Sequence, residues 1–348
     1  MMTRTELKRS TIPSGRLKTV LLATLAGCTL LATPLRAEVS QVRVAKGFGV
    51  GYLPLLAMEH EKLFEKHAKA AGLPDSKADW IVLDGGTNQA QLLIAGNLEV
   101  SSGGLGPLIT IWGKTKGNLD VKGMASINSM PLLLNTTNPA IKTIKDFTDK
   151  DRIALPVIRS SIQAVVLQME AAKVFGADKY ASMDRLTVSM AHPDGAAALL
   201  SGKTEITAHL TAPPFTYQEL KNPKVHRVFS SYDVVGGPHT FNLIWTTAKF
   251  RKENPKTYAA FMAALKEAMD AINADKKKYA KLYVEATKSK LAVDFVEEII
   301  SKPEIRFTMT PEGTMAFATF MHKVGSIKEM PGQWQELFFP EVHGLKGN

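Results

Sequence analysis

The chain alternates short apolar runs with glycine turns and helix-like stretches. Val42-Arg-Val-Ala45 carries β-branched residues at alternate places and predicts a first strand. A glycine loop over residues 46–51 follows, and Pro54 suits the first position of a helix running to about residue 71. The pattern is sharpest at Trp80-Ile-Val-Leu-Asp84, an apolar run of strand length that meets Gly85-Gly86-Thr87-Asn88. A helix over residues 89–95 is predicted behind that turn, with Thr87 or Asn88 as its N-cap. Residues 98–102 predict a third strand, and Gly103-Gly104-Leu105-Gly106-Pro107 repeats the order of strand, glycine turn and helix. Residues 121–127 read as a fourth strand. This alternation predicts a parallel, doubly wound sheet with its ligand at the carboxyl ends of the strands.

From about Ser129 the chain starts a second unit of the same kind. Strands are predicted at residues 132–135, 152–155, 186–190, 205–209 and 225–230, and helices at 194–200 and 215–220. Between the second and third of these strands, Ser160 with Gln163 three places on fits a capping box for a helix to about residue 175. Residues 240–247 read as a return to the first unit, and the remainder is helical, ending on a helix over 333–339. The expected class is therefore α/β with two lobes, each a doubly wound, mostly parallel sheet. Residues 38–127 and 240–348 form the first lobe, residues 128–239 the second, and two segments cross between them.

Composition supports that picture. At 45% hydrophobic and 22% charged, 348 residues suit a soluble globular protein with two real cores. Net charge is +10, but beyond residue 37 it falls to +5, with 37 basic and 32 acidic residues. That mild excess favours a small anionic ligand over a polyanion, and no basic helix with interleaved aromatics argues for nucleic acid. Arg16 and Lys18, the apolar run 20–32 and Pro34-Leu-Arg-Ala37 have the parts of an export signal, residues 1–37. Leu25-Ala26-Gly27-Cys28 also resembles a lipoprotein lipobox, so lipidation at Cys28 and cleavage after Ala37 both stand open; Leu30 and Leu31 favour cleavage. Either route places the protein outside the cytoplasmic membrane. Cys28 is the only cysteine, so a chain cleaved at Ala37 has no disulfide, thiol nucleophile or thiolate metal site.

Helix starts behind strands aim bare N–H groups and a partial positive charge outward, where anions settle. Arg159, beside the helix start at Ser160, would add to that attraction. Phe48 and Tyr52 either floor a pocket or belong to the core. His209, at a predicted strand end, is either a pocket residue or a structural histidine, and His192 has a weaker version of the same placement. Gly47, Gly49 and Gly51 do not match a dinucleotide fingerprint. The eight histidines show no metal-ligand spacing, and no Gly-x-Ser-x-Gly elbow occurs. No cofactor is expected.

Residues 42–64 with Leu63-Phe64-Glu65-Lys66-His67, the run Gly85-Gly-Thr-Asn-Gln-Ala-Gln-Leu-Leu-Ile-Ala-Gly96, Leu199-Leu-Ser-Gly-Lys203, Lys249-Phe-Arg-Lys-Glu-Asn-Pro255 and Gln333-Trp-Gln-Glu-Leu-Phe-Phe-Pro-Glu341 follow one another along the chain. In that order and spacing they resemble periplasmic solute-binding proteins of nitrate, sulfonate and taurine ABC importers. The resemblance spans about residues 42–345. It implies a type II binding-protein fold, a small-molecule ligand held between the lobes, docking on the importer's membrane subunits, a monomer and no enzymatic activity. The contacts it implies are Phe48, Gly49, Gly86, Thr87, Asn88, Ser102, Gly103, Gly104, Ser129, Ser160, Ser161 and His209; Arg159 is added on the physics of anion binding alone. Two other classes remain: an exported sensing module, and a pyrimidine-synthase-type enzyme, against which the missing cysteine argues.

Overall fold

The computed structural model describes residues 37–348; residues 1–36, which carry Cys28 and nearly all of the export-signal reading, lie outside it. The first stretch contains β1 (Gln41–Lys46), α1 (Leu53–His60), α2 (Leu63–Ala70), β2 (Lys77–Val82), α3 (Gly86–Ile94), β3 (Ser101–Gly103), α4 (Leu105–Thr115) and β4 (Lys122–Ser126). The second contains β5 (Leu133–Thr136), β6 (Ile153–Leu155), α5 (Ile162–Phe175), β7 (Thr187–Ser189), α6 (His192–Ser201), β8 (Ala208–Thr211), α7 (Phe215–Leu220), β9 (His226–Ser230) and α8 (Ser231–Val235). The chain then returns through β10 (Leu243–Thr246) to the helices α9 (Ala248–Glu253), α10 (Pro255–Ala274), α11 (Lys276–Thr287), α12 (Val293–Ile300) and α13 (Thr314–Lys323).

β1 and β2 pair in parallel, and Val44 makes a parallel bridge to Val100 just before β3. β10 runs antiparallel between β3 and β4. The second sheet has the order β7-β6-β8-β5-β9, with β5 the reversed strand. The sheets are thus mixed, with β10 and β5 each running against the strands on both sides. All four residues of β10 are buried, as its continuous Leu-Ile-Trp run requires of a strand covered on both faces. One large apolar cluster runs through both sheets, and Ala154, Leu199, Ile206 and Val225 form a satellite.

Two elements depart from the sequence expectation. The helix predicted over residues 54–71 breaks at Lys62, which takes left-handed backbone (φ 55). That turn aims α2 at α10, where the Phe64 and Phe261 rings meet at 5.9 Å. The predicted terminal helix is only a short 3-10 turn, Trp334–Leu337. Phe338 leaves it to bridge Gly123 on β4, and Phe339 N–H donates to the Gly123 carbonyl (2.9 Å), so sheet pairing outcompetes the helix.

The two crossings, near residues 127–132 and 236–242, are stitched together. Ile127 N–H donates to the Asn242 carbonyl (2.9 Å), and Asn242 N–H donates to Asn128 Oδ1 (3.1 Å). Asn128 Nδ2 in turn donates to the Gly51 carbonyl (2.6 Å). Ser129 and Arg306 exchange backbone bonds in both directions, at 2.8 and 2.9 Å.

Candidate functional site

The turns after β1, β2 and β3 face the starts of α5, α6 and α7 across a cleft. Small side chains make the approach possible. A Cβ on Gly103 would come within 2.6 Å of the Gly86 Cα, and one on Gly104 would collide with Ile162 of the opposite half. Val50 N–H donates to the Pro213 carbonyl (3.2 Å), and Thr87 Oγ1 donates to Ser160 Oγ (3.0 Å). The N-cap of α3 is Gly85, with no side-chain cap bond, rather than Thr87 or Asn88. Thr87 is committed across the cleft, and Asn88 Nδ2 donates back to the Asp84 carbonyl (3.2 Å). The N-cap of α5 is Ser161, whose Oγ accepts from Ala164 N–H (3.2 Å), so the expected box of Ser160 and Gln163 does not form.

Two cavities lie along this cleft. The smaller, about 20 Å³, is where the starts of α3 (Gly85, Gly86), α4 (Gly103, Gly104) and α5 (Ser161, Ile162, Gln163) converge. Asp84, His192, Asn242 and Tyr52 complete its wall. Asn242 is 1% exposed; its Oδ1 accepts from Asn128 Nδ2 (3.2 Å), and its Nδ2 has no hydrogen-bond partner among the described residues. Amides at converging helix starts are the kind of group that holds an acceptor. The larger cavity, about 370 Å³, is walled by Phe48, Tyr52, Leu56, Val82, Phe215 and Tyr283, with Lys46 and Gly49 at its edge. The Lys46 ammonium is paired with Glu59. Tyr52 borders both cavities.

The polar wall is fixed by a buried chain of hydrogen bonds. Glu219 Oε2 accepts from Asn135 Nδ2 (2.8 Å), and its Oε1 lies 2.6 Å from His209 Nδ1. His192 Nδ1 meets Thr211 Oγ1 (2.8 Å), while Gln163 Nε2 lies 3.1 Å from His192 Nε2. Burial, reinforced by the neighbouring His209, holds His192 well below the usual histidine range, so its ring is neutral. A neutral ring whose Nε2 accepts from the Gln163 amide carries its proton on Nδ1. Across the cleft, Asp84 Oδ1 accepts from Gly85 N–H (3.0 Å) and Oδ2 from His192 N–H (3.1 Å), the first amide of α6. Burial pushes the Asp84 carboxyl up, against the pull of those two bonds.

Of the residues singled out from sequence, Phe48 and Gly49 line the larger cavity, and Gly86, Gly103, Gly104 and Ser161 the smaller. Thr87, Asn88, Ser102, Ser129, Arg159, Ser160 and His209 line neither. Ser102 Oγ donates to the Ala45 carbonyl (2.6 Å), tying β3 to β1. Ser129 Oγ donates to the His239 carbonyl (2.8 Å) at the crossings. His209 is the second residue of β8 rather than its end, and it is fully buried against Glu219. Arg159 is exposed in left-handed backbone (φ 63). Its charge bears on Asp184, whose carboxyl is raised by burial against the bonds from Gln168 and the attraction of that guanidinium.

The sequence reading passed over Asp84, Asn242, Phe215 and Tyr283 as site residues. Asp84 had a signal, as the one charge at the mouth of the sharpest strand-to-helix turn. His192 is not at a strand end but opens α6. Among the described residues, no group of three or more His, Cys, Asp or Glu could hold a metal ion. None of their helices is long and apolar enough to cross a membrane.

By sequence, no protein-family model and no curated protein matches the chain. By structure it is similar to the alkanesulfonate-binding protein SsuA of Xanthomonas axonopodis pv. citri bound to MOPS, with a TM-score of 0.65 and 15% identity over 84% of this chain and 96% of that one. The periplasmic aliphatic sulphonate binding protein SsuA of Escherichia coli gives 0.62 and 15% over 87% and 92%. The periplasmic nitrate-binding protein NrtA of Synechocystis PCC 6803 gives 0.55 and 14% over 75% and 70%. At such identities the likeness speaks for architecture, and the architecture is that of a periplasmic binding protein.

Proposed function

We propose that this chain is an extracytoplasmic solute-binding protein that captures a small organic oxyanion between its halves and delivers it to the membrane subunits of an ABC importer. In this reading residues 38–127 with 240–348 act as one lobe and residues 128–239 as the other. One observation carries it: three helix starts converge on a single cavity to which both halves contribute. Backbone amides at helix starts hold an anion without a full counter-charge. The aromatic chamber next door would take an organic tail of the kind a sulfonate or carboxylate carries. The sulfonate- and nitrate-binding neighbours support the same class.

Ligand contacts made by both halves favour the form in which the halves meet, by as much as the ligand prefers that form. The test is a thermal-shift screen of purified protein against benzenesulfonate, alkanesulfonates, nitrate and aromatic carboxylates. A true ligand at 100 times its Kd stabilises by about 2.7 kcal/mol. Stabilisation by uncharged aromatics alone, with no response to any anion, would remove the oxyanion from the proposal.

A further inference from the structure

The cavity that offers donors to an anion also has a carboxylate in its wall. Asp84 belongs to one half of the cleft and accepts from the first amide of α6 in the other half, so it already does what a bound anion would do. Resting on the function proposed above, we propose that Asp84 is a specificity-determining residue: an anionic head enters the neighbouring cavity only together with one proton, which Asp84 takes up. The physical reason is crowding of like charge. An anionic head set against the buried Asp84 carboxylate would bring two full negative charges into contact, so one acid of such a pair stays protonated well above its usual range.

The groups around Asp84 leave it as the acceptor. From α6 come His192, whose ring is neutral and hydrogen-bonded at both nitrogens, and Asp194, whose charge opposes ionisation of Asp84. From β8 comes His209, held by Glu219 of α7, and the Tyr52 hydroxyl is pushed up by its own burial. At the edge of the larger chamber, the Lys46 ammonium is committed to Glu59. The protonated Asp84 keeps one carbonyl oxygen for an amide and gains an O–H that can donate to the ligand's oxyanion.

Calorimetric titration with benzenesulfonate in two buffers of different ionisation enthalpy counts the protons. The wild type is expected to take up about one proton per sulfonate at pH 7, and its affinity to fall about tenfold per unit of rising pH. Asp84→Asn, already neutral, is expected to take up none, to bind at least about tenfold more tightly at pH 7, and to show a flat pH profile. The wild-type proton count needs no variant, so the test survives if Asp84→Asn fails to fold. Sulfonate binding with no proton uptake, or uptake that persists in Asp84→Asn, overturns the role of Asp84 and leaves the transport reading standing. If neither protein binds benzenesulfonate or nitrate, while benzylamine binds the wild type and not Asp84→Asn, both proposals fall.

Discussion

The two halves of this protein meet along two seams, and the seams are built differently. At the crossings, Asn128, Ser129, Thr240 and Asn242 are fully or almost fully buried and bonded to one another, to Arg306 and to His239. Along the cleft, the side-chain bonds between halves are few: Asp84 to the His192 amide and Thr87 to Ser160. Beyond these stand one backbone bond, Val50 N–H to the Pro213 carbonyl, and glycines packed against the other half, such as Gly104 on Ile162 and Gly106 on Val165. A seam of interlocked buried amides costs a full desolvation penalty for every bond broken. A seam of a few polar contacts and glycines can part and reform for a few kcal/mol, the range a ligand can supply. On the function proposed above, the crossings act as the hinge and the cleft as the recognition edge, with Asn242 belonging to both.

Acid should strain both seams, the cleft through the neutral ring of His192 and the crossings through His239. His239 lies at the crossings with its Nε2 against Ser231 Oγ (2.7 Å) and Nδ1 against the Thr240 carbonyl (3.0 Å). Burial pulls its pKa down to about 4, against a weaker upward pull from the Thr240 carbonyl. A histidine whose folded pKa lies below its unfolded value binds fewer protons folded than unfolded. Its contribution is therefore complete above about pH 6.5 and is lost as pH falls toward 4, amounting to about 3 kcal/mol. Urea unfolding at pH 7, 5.5 and 4 should show that decline, and a flat profile would mean that the crossings tolerate charge.

A smaller effect is expected at the cleft. Gly104→Ala places a methyl group against Ile162 only when the halves meet. Affinity for an anion identified by thermal shift should drop about tenfold, roughly 1.4 kcal/mol, with the melting temperature of the protein alone nearly unchanged. An equal loss of both would show that this contact belongs to the fold rather than to recognition. The smallest effect is expected at Arg159, which lines neither cavity: Arg159→Ala should change anion affinity less than about twofold, or about 0.4 kcal/mol. A tenfold loss would mean that its guanidinium reaches the cleft when ligand binds.

The sequence was legible where function and fold use the same local signal. Strands buried on both faces appear as continuous apolar runs, and close approach demands glycine, so Gly86, Gly103 and Gly104 stood out before any coordinates. What stayed hidden depends on pairs far apart in the chain. Asp84 and His192 meet across 108 positions, and nothing local to either announces the other. Asn242 matters because it reaches the cavity wall from the crossings, which only the three-dimensional arrangement reveals. The caps failed by one to three residues for a different reason. Ser160 and Ser161 are chemically alike, and only backbone geometry decides which serine turns inward. Lys62 is harder still, since left-handed backbone at a lysine has no compositional mark.

Tyr52 stands between the polar nook and the aromatic chamber, a single ring serving as the partition of a two-room site. On the function proposed above, a solute that uses both rooms lies against this ring. Because Tyr52 is also buried in the main apolar cluster, the shape of the site and the packing of the scaffold are set by the same side chain.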